Sequence, residues 1–184
     1  MFDSGYPFNL IDRKDGGTIN LVSTWKYNFQ TETRRYIAEV EQYKLNIYIV
    51  KFYADCHSRS KNKYRLILND AKPARIIRTC INIMLHFYEE NPLASFGFIG
   101  TNSSNKKKHN KKIKESISNT QRFRIYTRLM SAFFGKKTFS HSQNRKYSAY
   151  LMINRKCGGI REFKDKAQRM FSREYVDLNF YGHQ

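Results

Sequence analysis

The sequence predicts an α+β fold: an antiparallel sheet of five to six strands with three helices, mostly on one face. Two observations lead there. From Thr18 to Tyr53, β-branched and aromatic residues recur at alternate positions, which is the period of a strand. Beyond Asp70, three separate stretches switch to helical spacing, with strand-like segments between them. A third observation concerns function. The chain carries 34 Lys and Arg against 15 Asp and Glu, a net charge of +19. Residues 101–150 hold 13 of these cations and one acid, Glu115, and so carry +12 of that charge.

Residues 1–17 read as an N-terminal arm. Gly5, Pro7 and Gly16-Gly17 mark turns, and Tyr6, Phe8 and Leu10 alternate as in a docked edge strand. Residues 18–156 read as the core. Leu21 to Phe29, Tyr36 to Glu41 and Asn46 to Ala54 are strands separated by polar turns near Thr31-Glu32-Thr33 and Lys44. The last of them is apolar on both faces, as expected of a central strand. Connections this short favour antiparallel neighbours. Tyr64 to Leu68 fits a further short strand. Asn69 or Asp70 is expected to cap the first helix, with Pro73 in its first turn. Ile76, Ile77, Cys80, Ile81, Met84, Phe87 and Tyr88 form its apolar stripe, and Asn91-Pro92 ends it.

Leu93 to Gly100 is strand-like, followed by a basic loop over 102–119. Thr120 caps a second helix that ends near Gly135, with Phe123, Tyr126, Leu129, Met130 and Phe133 as its buried stripe. Residues 140–145 read as a polar turn and Tyr147 to Ile153 as a strand. Residues 157–184 hold a third helix, with Ile160, Phe163, Ala167, Met170 and Phe171 inward, then a tail in which Tyr175 to Phe180 fits a short strand.

Asn46 to Phe52, the helix through Phe87-Tyr88 and the Arg-rich helix Arg122-Phe123-Arg124-Ile125-Tyr126-Thr127-Arg128-Leu129 together resemble a group of small uncharacterised bacterial proteins. In that group an aromatic strand meander precedes one long helix, then a strand and an Arg-rich helix. The resemblance implies an α+β fold and supplies no catalytic residues. The lysine run and the third helix lie outside its pattern.

A chain of 184 residues with 40% hydrophobic and 15% aromatic content can bury a core. The first seven residues lack the order of a signal peptide, and a cytoplasmic protein is expected. Cys56, Cys80 and Cys157 are too scattered for a disulfide framework or a metal knuckle. No apolar run approaches the ~20 residues of a membrane span, so no membrane partner is expected.

The remaining partners of so basic a chain are nucleic acid or an acidic protein. Nucleic acid is favoured, RNA ahead of DNA, because aromatics interleave with arginines in Arg122-Phe123-Arg124-Ile125-Tyr126, a composition suited to exposed bases. The expected phosphate contacts are Lys106, Lys107, Lys108, Lys111, Lys112, Lys114, Arg122, Arg124, Arg128, Lys136, Lys137, Arg145 and Lys146. Phe96 to Gly100 with Thr101 to Ser104 has the outline of a phosphate-holding turn but lacks the glycine spacing of a P-loop or dinucleotide fold.

Binding without catalysis is the favoured reading. One alternative is a metal-independent RNase, a toxin or phage-defence effector. It would use His141, Arg145 and Tyr147 as base or acid and as phosphorane stabilisers. The other is an accessory subunit that docks on a ribonucleoprotein or an acidic protein. No cofactor or metal is expected, since carboxylates are few and dispersed.

Overall fold

The computed structural model describes residues 4–66, 72–100, 107–108, 111–112 and 116–174, the two lysine pairs by backbone alone. Nine strands and three α-helices appear among them. In chain order they are β1 (Phe8–Asp15), β2 (Leu21–Gln30), β3 (Arg35–Tyr43), β4 (Ile47–Ala54), α1 (Pro73–Glu90), β5 (Ser95–Ile99), β6 (Lys107–Lys108), β7 (Lys111–Lys112), α2 (Gln121–Phe133), β8 (Phe139–Asn144), β9 (Ala149–Asn154) and α3 (Ile160–Glu174).

Seven strands form one sheet in the order β1-β2-β3-β4-β5-β9-β8, and β6 and β7 form a separate ribbon. The sheet is a four-strand antiparallel meander joined to a three-strand antiparallel unit. The join is the parallel pair β4–β5, in register from Ile47↔Ser95 to Ile49↔Gly97. Parallel neighbours need a long crossover, and α1 supplies it.

Alternation sorts the side chains between two cores. Tyr27, Phe29, Ala38, Val40, Tyr48, Val50, Phe96, Phe98 and Met152 meet α1 and α2 on one face. Tyr43, Ile47, Ile49 and Ile153 meet Phe163, Ala167 and Met170 of α3 on the other. The central strand β4 is therefore covered on both sides. Two of the three helices share one face, in keeping with the expectation of helices mostly on one side, and α3 covers the opposite face. Its inward residues recur at helical spacing, and a strand buried on both faces needs a second cover.

The sheet also has more strands than expected, for an identifiable reason. Residues 140–145 were expected to turn, yet Phe139–Asn144 pairs along its whole length with β9, from Phe139↔Asn154 to Asn144↔Ala149. Phe-Ser-His-Ser-Gln-Asn has little apolar pattern because it is an edge strand held by its backbone ladder. The turn lies just beyond, at 145–148. At the other edge, β1 is bulged between Leu10 and Asp12 and carries Arg13, Lys14 and Asp15, features that discourage edge-to-edge pairing.

Of the strand expected over Tyr64 to Leu68, Tyr64 and Arg65 fall in a 3-10 turn (Lys63–Arg65), and Ile67 and Leu68 lie outside the described residues. Helix α1 starts after Lys72, which makes no side-chain cap; the expected cap at Asn69 or Asp70 and the strand at 175–180 fall outside the described residues. Among the described residues no helix is long and apolar enough to cross a membrane.

Candidate nucleic-acid interface

The basic segment leaves the sheet at Gly100 and returns at Ile117–Thr120. A compact hydrogen-bond knot holds these two points together. The Thr120 hydroxyl donates to the Gly100 carbonyl at 2.7 Å and accepts from the Phe123 amide at 3.2 Å, so one side chain both closes the loop and caps α2. The Thr120 amide donates to the Ser148 hydroxyl at 3.0 Å, and that hydroxyl donates to the Ile117 carbonyl at 2.7 Å. The Gly100 amide donates to the Ser148 carbonyl at 2.8 Å.

Burial makes these bonds obligatory, since an unpaired polar group there would lose its water. Thr120 and Ser148 are both buried. Gly100 is required by crowding: a Cβ would stand 2.7 Å from the Phe123 amide nitrogen and the Thr120 hydroxyl. Ser148 has φ +50°, a left-handed conformation that the surrounding bonds hold in place.

The knot brings cations together from three parts of the chain. The Arg145 carbonyl accepts from the Asn119 amide at 2.8 Å and from the Ser118 hydroxyl at 3.2 Å, so the turn bearing exposed Arg145 and Lys146 sits against the entry to α2. Exposed Arg124 donates to the Asn119 carbonyl at 2.6 Å. The lysine segment springs from the same place. Its antiparallel register sets Lys107 opposite Lys112 and Lys108 opposite Lys111. Like charges at directly opposed positions disfavour a strand pair. Lys106 and Lys114 fall outside the described residues.

Other expected contacts lie elsewhere. Arg122 is half-buried, and its guanidinium donates to the carbonyls of Tyr64 and Leu66, the latter at 3.1 Å; it fastens the 63–66 segment to α2. Arg128 is exposed further along α2. Lys136 and Lys137 follow the far end of that 13-residue helix, roughly 20 Å from its start at 1.5 Å per residue. There the Lys136 carbonyl accepts from the Arg155 side chain at 2.8 Å. Arg124, Arg145 and Lys146 thus lie near the start of α2, where the lysine segment leaves and rejoins the body, and Lys136, Lys137 and Arg155 lie at its far end.

His141, Arg145 and Tyr147 do not converge. His141 lies mid-strand in β8, facing α2, and its Nδ1 is 2.7 Å from the Tyr150 hydroxyl, which is in turn 3.3 Å from that of Ser131. Nε2 is buried without a partner of good geometry, although the nearby Phe134 carbonyl favours the protonated ring. Burial and then the charges of Lys136 and Arg155 outweigh it and hold the imidazole pKa below its ordinary value. Arg145 follows four residues later, about 13 Å along an extended chain. Tyr147 is buried in the turn, with the Lys146 ammonium 5.3 Å from its ring centroid.

One polar centre was not anticipated. Glu39, 6% exposed, accepts from the hydroxyls of Tyr64 and Tyr53 and from the Lys63 ammonium at 3.2 Å, with Lys26 at 3.7 Å. Burial, followed by the Glu39 charge, pushes the Tyr53 pKa well above its ordinary value. Lys63 also lies 4.1 Å from the Tyr53 ring centroid. The signal in the sequence was an acid in the β3 phase opposite to Ala38 and Val40, and the register sets Lys26 and Lys51 across from it. Tyr64 links both faces of the sheet, with its hydroxyl on Glu39 and its carbonyl on Arg122. Among the described residues no group of three or more His, Cys, Asp or Glu is placed to hold a metal.

No family model, curated protein or solved structure matches the chain. Its function has to be read from its own residues.

Proposed function

We propose that this protein binds nucleic acid, RNA ahead of DNA, through the lysine ribbon and the cations clamped at its base. The observation that carries this reading is the knot of Gly100, Thr120 and Ser148, which ties the two ends of the lysine-bearing segment to the Arg145–Lys146 turn and the start of α2. Several cations from distant parts of the chain then face a ligand as one group, and the opposed lysines of the ribbon gain from an anion between them. Phosphates spaced along a strand suit that row better than a single small anion does. Exposed Arg124, Arg145 and Lys146 extend it.

The test is titration of labelled single-stranded RNA and DNA at several salt concentrations. With about six phosphates engaged, log affinity falls with log salt with a slope of about −4. A slope near zero would remove the proposal.

The RNase alternative draws on His141, whose lowered pKa leaves the ring neutral and able to accept a proton near pH 7. Its partner is Tyr150 rather than Arg145 or Tyr147. RNA that stays whole with the wild-type protein, or a His141→Ala variant that cleaves as well as wild type, disposes of that alternative. An acidic protein partner would instead co-purify after nuclease treatment.

A further inference from the structure

A half-open cleft of about 170 Å³ lies between α3 and the β5–β9–β8 end of the sheet. Its position follows from the register. Ile49, Gly97, Leu151 and Ser142 stand side by side across four strands, and Ile99, Ala149 and Asn144 form the next row. Over them stands a helical stripe of α3, Lys164, Ala167, Gln168 and Phe171, at the i, i+3, i+4, i+7 spacing of one face. The floor is open because residue 97 is glycine: a Cβ there would come within 2.8 Å of the Ile49 Cδ1.

We infer that this cleft receives a single unstacked base of the strand whose phosphates the ribbon engages. The inference rests on the nucleic-acid reading above and gives that surface a base-binding subsite. Three observations support it. The first is size: a void of about 150 Å³ is enough to admit a benzene ring, so this one takes one aromatic heterocycle and little more.

The second is chemistry. The base of the cleft is apolar, with Ile49 and Leu151, and the Phe171 ring lines its side. Such surfaces accept the face of any base. Around them stand Ser142, Gln168 and Lys164, none of which makes a side-chain hydrogen bond or ion pair among the described residues. A glutamine amide offers a donor beside an acceptor, the pattern that pairs with the edge of a base.

The third is position. Ile99 and Asn144 line the cleft, and the next residues, Gly100 and Arg145, belong to the knot at the foot of the ribbon. A strand held there by its phosphates can place a neighbouring base in the cleft.

The experiment compares a short oligoadenylate with an abasic strand of equal length, using wild type, Ser142→Trp to fill the cleft and Gln168→Ala to remove an edge contact. Thermal melting establishes that each variant is folded, and Gln168→Ala carries the test if the tryptophan variant is not. Wild type is expected to prefer the oligoadenylate by about tenfold, the scale of one stacked base. Each variant is expected to erase much of that preference while leaving abasic binding and the salt slope unchanged. A preference that survives both substitutions, or no preference in wild type, overturns the base-binding subsite and leaves the ribbon reading standing. Failure of wild type to bind either strand removes both.

Discussion

The hydroxyl of Thr120 donates to the carbonyl of Gly100, 20 residues back in the chain, at 2.7 Å. That bond closes the basic segment at its base. Without it, the long, strongly charged loop would spread the ends of β5 and α2 apart. The same oxygen caps the helix by accepting from Phe123, so helix formation and loop closure depend on one residue.

Thr120→Val therefore removes two buried bonds without opening a cavity. It leaves the Gly100 carbonyl unpaired and α2 uncapped, at a cost of about 2 kcal/mol. Urea unfolding measures that cost. RNA affinity is expected to weaken as well, although no cation has changed; unchanged stability and affinity would contradict the role given to the knot.

Replacing Lys107, Lys108, Lys111 and Lys112 with Gln tests the ribbon directly. If all four meet phosphates on a single strand, the salt slope becomes shallower by about 3, at ~0.7 per contact. Lys136→Gln with Lys137→Gln, at the far end of α2, is expected to alter the slope much less. Equal effects from the two sets would mean that the charge acts as a diffuse field.

Buried Glu39 holds half-buried Lys63 and Lys26 together with Tyr53 and Tyr64. Glu39→Ala strands those partners and is expected to destabilise the fold by about 3 kcal/mol or more, the scale for breaking a buried pair. The 63–66 segment should loosen with it, seen as faster hydrogen exchange there. Retained stability would place the network at the surface in solution.

The N-terminal arm supplies a pH dependence. The Tyr6 hydroxyl donates to Glu32 at 2.5 Å, and Arg75 and Lys72 lie 3.2 and 3.3 Å from the same carboxylate. The Tyr6 bond, followed by a backbone hydrogen bond and then Lys72, holds the Glu32 pKa down to about 2 from 4.5. The folded state therefore binds that proton less readily than the unfolded chain. The associated stability is present above pH 4.5 and is lost as pH falls toward 2. Comparing the melting temperature of wild type and Glu32→Gln across that window is the check. The gap between them should close on acidification, and a constant gap would count against the assignment.

Much of the fold was legible because the signals are local. The two-residue alternation from Leu21 to Ala54 reflects the pleat itself, and the stripe from Ile76 to Phe87 reflects the pitch of α1. Thr120 could be read as a cap because capping joins residues three apart. The strand at Phe139–Asn144 was not legible, since its stabilising bonds come from β9 and leave little mark on its own side chains. Nor was the tie of Arg122 to the carbonyls of Tyr64 and Leu66, more than fifty residues away.

The sequence by itself determined the periodicities, the central place of β4, the presence of three amphipathic helices and the excess of cations after Gly100. Those are properties of composition and of spacing along a few turns of chain. Tertiary structure decided that α3 covers the second face, that the Arg145–Lys146 turn packs beside the start of α2 while Lys136 and Lys137 lie at its far end, and that Glu39 is buried among lysines. Each of these depends on which distant segments meet, and side-chain charge and hydrogen bonding act over a few ångströms of space regardless of distance along the chain.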